Sequence, residues 1–101
     1  MNLIYAPGVR TEMQRIYLYI AQHNRTAAND VLARIEEFAG LLLDHPDMGR
    51  KIARGRRRLT VAPYPYLIYY EVADNTVRII RIRHAARYRQ VFQEPARVFV
   101  R

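Results

Sequence analysis

Between Val9 and His23 the apolar side chains fall at Val9, Met13, Ile16, Tyr17, Ile20 and Ala21. Steps of three and four put them on one face of a helix. Asn24-Arg25-Thr26 reads as a turn, with Asn24 or Thr26 placed to cap a second helix. From Ala27 the same period returns at Ala28, Val31, Leu32, Ile35, Phe38, Ala39 and Leu42. Pro46 disfavours helical geometry at His45, so the second helix is expected to stop near Asp44. A turn this short makes the pair an antiparallel hairpin, with both apolar stripes facing the same way.

Elsewhere the period is two. Residues 2–6 read as a short strand, broken by Pro7 and Gly8, and Pro7 suits the first position of a helix. Residues 46–56 are a polar, Gly-punctuated connection. Arg57–Ala62 is a candidate strand with Leu59 and Val61 on one face, interrupted by Pro63-Tyr64-Pro65. Tyr66–Val72 is apolar or aromatic on both sides, which suits a central strand covered on two faces. Asp74-Asn75 is hairpin chemistry, since both residues tolerate positive φ. Val77–Arg83 is the return strand, with Val77, Ile79, Arg81 and Arg83 expected on one face and Arg78, Ile80, Ile82 and His84 on the other. The order β-α-α-β-β-β is an α+β fold: a helix hairpin covering one face of a small, mostly antiparallel sheet. The uncovered face is expected to serve for docking. Residues 1–101 are read as one domain, of which 90–101 form a tail. There Val98-Phe99-Val100 is either an edge strand or a segment that orders only against a partner.

Composition narrows the function classes. Half the residues are hydrophobic and 26% are charged, which argues against disorder. The run from Phe38 to Leu43 is far too short to span a membrane. No basic leader with a long apolar stretch behind it opens the chain, so a cytoplasmic protein without membrane association is expected. With no cysteine there is no disulfide, thiolate metal site or cysteine nucleophile, and three scattered histidines make a zinc site improbable. No metal or cofactor is expected.

Charge placement says more. Residues 1–50 hold five arginines and six acids, a net of −1; residues 51–101 hold twelve bases and three acids, a net of +9. Sixteen of the seventeen bases are arginine, which favours planar, bidentate contacts with phosphate or carboxylate. A basic second half implies an anionic partner.

Several segments, taken in order, carry a resemblance. They are Ile16-Tyr17-Leu18-Tyr19-Ile20-Ala21, Pro46-Asp47-Met48-Gly49-Arg50, Arg57-Arg58-Leu59, the run from Tyr64 to Val72, and the run from Val77 to Arg87. Over about residues 4–89 the chain resembles the RelE/ParE superfamily of type II toxin–antitoxin toxins, and the ParE branch most. The resemblance implies a small cytoplasmic bacterial toxin that arrests growth and serves in plasmid stabilisation. It implies a cognate antitoxin with an acidic toxin-binding segment, a hetero-oligomer with that antitoxin, and DNA contact made through the antitoxin. ParE-like members poison DNA gyrase by holding its cleaved-DNA complex; RelE-like members cleave mRNA at the ribosome without a metal.

The resemblance leaves two classes of action. Cleavage through a 2′-hydroxyl needs a base, an acid and cations around the phosphate. His84 or Glu71 would be base or acid, and Arg57, Arg58, Arg81 and Arg83 would hold phosphate. RelE-like ribonucleases often carry an Arg early on the central strand, where this chain has Tyr66. A gyrase poison needs no catalytic residue, only a higher affinity for the cleaved-DNA state than for the resealed one. Gyrase inhibition is therefore the leading reading, with no catalysis by the toxin itself. The alternatives are ribosome-dependent mRNA cleavage with His84 catalytic, an inactive relative that only binds its antitoxin, and a plain nucleic-acid-binding module. Target contact is expected at Arg57, Arg58, Arg81, Arg83, His84 and Arg87. The tyrosines of 64–70 are read first as sheet packing, and His23 and His45 as helix-end residues.

Overall fold

The two helical periods close as α1 (Val9–Ala21) and α2 (Arg25–Leu41) in a computed structural model that describes residues 1–86. The Asn24 side chain accepts the Ala27 N–H at 3.0 Å and so caps α2. Pro7 does not open α1. Gly8 precedes the helix at φ 91°, a left-handed conformation in which a Cβ is strained, and the helix starts at Val9. α2 ends as α-helix at Leu41 and tightens through Leu43 N–H to Gly40 and Asp44 N–H to Leu41, three-residue spacings that bring the chain to Pro46.

The strands are β1 (Asn2–Tyr5), β2 (Arg50–Lys51), β3 (Arg56–Thr60), β4 (Tyr66–Ala73) and β5 (Thr76–His84). They form one sheet in the order β1-β5-β4-β3-β2, antiparallel except where β1 runs parallel to β5. The expected architecture, a helix hairpin on a mostly antiparallel sheet, is the one observed. β2 lies inside the expected connection of residues 46–56, because a two-residue strand of Arg and Lys carries no hydrophobic period. Asp74 and Asn75 both hold positive φ, 52° and 56°, and close the β4–β5 hairpin.

On β5 the two faces do not follow strict alternation. Tyr70 pairs with Ile79 but Tyr69 pairs with Arg81, so Ile80 is an extra residue, a β-bulge. Val77 and Ile79 point into the core, and beyond the bulge Ile82 does, not Arg81 or Arg83. Tyr66, Ile68, Tyr70, Val77, Ile79 and Ile82 meet Val9, Met13, Val31, Ile35 and Leu42 from the helices in one cluster. Each such side chain, once buried, contributes about 1.5–3 kcal/mol. Leu67 and Tyr69 alternate with these residues and are themselves buried, outside that cluster. β4 thus meets the expectation of a strand covered on both sides.

Candidate partner-binding face

The face of the sheet turned away from the helices is set by the register. Arg50, Arg58, Tyr69 and Arg81 stand in one row across four strands. Thr60, Leu67 and Arg83 form the next row towards one end, and Arg56, Glu71, Arg78 and Ile4 the next towards the other. Neighbouring strands lie about 4.8 Å apart, so these arginines form a grid rather than a run. Leu67 and Tyr69 lie at its centre with only 7% and 6% of their surface exposed. Glu71 is the acid of these rows: its carboxylate meets Arg56 Nε at 3.6 Å and Arg78 Nη1 at 3.4 Å. Arg58 has no ion pair or side-chain hydrogen bond among the described residues.

Arg57 lies on the opposite side of β3 and does a different job. Its Nη1 donates to the Gly49 carbonyl at 2.7 Å and the Asp47 carbonyl at 3.3 Å, and its Nη2 lies 3.4 Å from Asp47 Oδ1. Tyr70 completes the knot. Its hydroxyl donates to the Pro46 carbonyl at 2.7 Å and accepts the Gly49 N–H at 2.8 Å. A Cβ on Gly49 would lie 2.7 Å from the Tyr70 ring, which explains the glycine. Burial raises the Tyr70 phenol above its ordinary range, against the opposing pull of the Gly49 N–H and Arg57. The Pro46-to-Arg50 segment is therefore a loop pinned by Tyr70 and Arg57.

His84 pairs with Tyr66 at the far end of the sheet, on the helix side, with the two rings edge to face at 5.2 Å. Its Nδ1 accepts the Ala86 N–H at 3.2 Å, leaving Nε2 for other contacts. It lines a cleft of about 560 Å³ between α1 (Glu12, Arg15, Tyr19) and the strand ends (Tyr66, Arg83). Glu71 lies near the other end of the hairpin, on the other face, roughly 20 Å of strand away. The fold does not bring His84 and Glu71 to one phosphate as acid and base.

Of the expected contact residues, Arg58, Arg81 and Arg83 share a face by register, with the Arg83 guanidinium reaching Glu12 at the cleft that His84 also lines; Arg57 is turned to the loop. Arg87 and the tail 90–101 lie outside the described residues. Sequence reasoning missed one residue, Glu12. Its carboxylate accepts the Ile82 N–H at 2.9 Å through Oε1, while Oε2 ion-pairs Arg83 and lies 3.7 Å from Arg81 Nη1. The available signal was an acid on the flank of the α1 apolar stripe, three residues after Val9 and four before Ile16. Among the described residues no three His, Asp or Glu side chains group as metal ligands, and no helix is long and apolar enough to cross a membrane.

Residues 3–88 match the family model described as ParE toxin of type II toxin-antitoxin system, parDE. The chain belongs to the ParE toxin family. Its relatives include Toxin RelE2 of Caulobacter vibrioides, 45% identical over 69 residues, which are 68% of this chain and 77% of that one. Toxin RelE3 of the same organism is 28% identical over 81 residues, covering 78% and 88% of the two chains. A solved structure titled Chromosomal ParDE TA system from P. aeruginosa superposes with a TM-score of 0.72 at 23% identity, over 83% of this chain and 95% of that one, and shares the fold. This ParE-family chain is a type II toxin–antitoxin toxin, as its motifs implied.

Proposed function

We propose that this toxin acts in the cytoplasm by binding, not catalysis, and that it arrests growth by holding DNA gyrase in its cleaved-DNA complex. The supporting observation is the arginine grid: Arg58, Arg81 and Arg83 share one sheet face, while His84 and Glu71 are kept apart. A binding poison needs cations and shape on one surface, and a larger affinity for one state of its target. A cognate antitoxin with an acidic segment silences the toxin in a hetero-oligomer. Cationic rows around Leu67 and Tyr69 suit such a segment.

The likeness to a toxin named RelE2 favours a second reading, cleavage of mRNA on the ribosome with His84 as the reacting side chain. Expression of the chain without its antitoxin separates the two. Growth arrest with broken chromosomal and plasmid DNA and intact mRNA supports the gyrase reading. Arrest with mRNA cut on ribosomes and intact DNA supports the second. Growth at the normal rate, with the folded protein present, contradicts both.

A further inference from the structure

Pairing between β1 and β5 stops at Tyr5 with Ile79, and among the described residues no strand pairs with the rest of that β5 edge. α1 crosses there, and Glu12 accepts the Ile82 N–H as a strand neighbour's carbonyl would. The same carboxylate reaches the flanking residues on both sides of Ile82. Its Oε2 holds Arg83 Nη1 and stands 3.7 Å from Arg81 Nη1. The carboxylate side chain is 19% exposed, against 31% for Arg83 and 55% for Arg81, so the acid sits inside and the guanidinium groups outside. Only the Nη1 atoms are engaged; Nε and Nη2 of both arginines have no partner among the described residues.

We propose that Glu12 is a positioning residue, holding Arg81 and Arg83 side by side so that their open edges meet one anionic group of the target. This rests on the reading of the arginine face as the contact surface. Two like charges, two residues apart on one side of a strand, repel each other and explore many rotamers. A carboxylate between them removes the repulsion and fixes the reach of both. Ordering the side chains in advance lowers the cost of binding. The anionic group is a phosphate of DNA or a carboxylate of the protein target, two sources with the same bidentate chemistry.

The test uses Glu12→Gln and Glu12→Ala in the full chain. The amide of Glu12→Gln still offers an oxygen to the Ile82 N–H but no charge to the arginines; Glu12→Ala offers neither. Glu12→Gln is expected to keep its thermal midpoint within about 4 °C, since the amide oxygen still accepts the Ile82 N–H and both guanidinium groups reach solvent. Growth arrest, read as inducer required, should weaken at least about tenfold as preorganisation is lost. The Arg83 Nη1–H signals in NMR should move to the position of a solvated arginine. Arrest undiminished in Glu12→Gln but lost in Glu12→Ala along with its thermal midpoint would make Glu12 purely structural. Stronger arrest in Glu12→Gln would make it a mask over the arginines. Either result overturns the proposal. The double variant Arg81→Gln/Arg83→Gln tests the underlying reading. If folded and still fully toxic, it removes the arginine face and the proposal with it. If inactive, the reading stands and Glu12→Gln alone decides. Gyrase binding with and without DNA then separates a phosphate from a carboxylate as the group held.

Discussion

Tyr70 needs its hydroxyl because that oxygen satisfies both ends of the turn before β2, the Pro46 carbonyl and the Gly49 N–H. Tyr70→Phe keeps the ring and strands both groups. It is expected to lower stability by about 2 kcal/mol, read from the midpoint of urea unfolding at constant slope. The phenol also carries a pH signature. Burial raises its folded pKa above the unfolded value of 10.0, so the neutral form is the one the fold prefers. Stability from Tyr70 is whole below pH 10 and is lost as pH rises through the folded pKa. The wild-type chain should therefore lose stability more steeply above pH 10 than Tyr70→Phe. Parallel alkaline limbs would remove Tyr70 as the titrating group. At the head of α2, Asn24→Ala loses the cap on Ala27 and is expected to cost about 1 kcal/mol in thermal unfolding.

β3 shows how one element separates structure from contact. Arg57 and Arg58 are adjacent, and on a strand adjacent residues face opposite ways. Arg57 is held by the Asp47–Gly49 loop; Arg58 stands in the arginine row with Arg50 and Arg81. Arg57→Gln is expected to destabilise by about 1–2 kcal/mol, because charged hydrogen bonds to carbonyls are lost. The protein that remains folded should arrest growth as before. Arg58→Gln should leave unfolding unchanged within about 0.5 kcal/mol and weaken arrest. The opposite pattern would move the contact surface to the helix side. The bulge at Ile80 makes the same point on β5. Strict alternation puts Arg81 and Arg83 on the core face with Val77 and Ile79, and one extra residue reverses them. No residue type marks that bulge, since Ile80 is an ordinary strand residue.

At the scale of the molecule, the order of elements was legible because it is written locally. Helical spacing from Val9 to Leu42, the turn at Asn24, the prolines, and Asp74-Asn75 each act within a few residues. The parallel pairing of β1 with β5 and the hydrogen bond from the Ile82 N–H to Glu12 join residues 70 or more positions apart, and no local pattern encodes them. The site was legible in part for the same reason. Charge counts found the basic half, and the register decided which arginines face together. Family membership adds what a surface carries for the cell, a toxin of a type II system. The choice of gyrase as target rests on the arginine face and on the separation of His84 from Glu71. Purified gyrase with plasmid DNA, ATP and this protein tests it most directly, scored for linear, protein-linked DNA after detergent and protease. Linear DNA is expected with the wild-type chain, and much less with Arg58→Gln or Arg81→Gln/Arg83→Gln. No linear DNA with excess folded wild-type protein would contradict it.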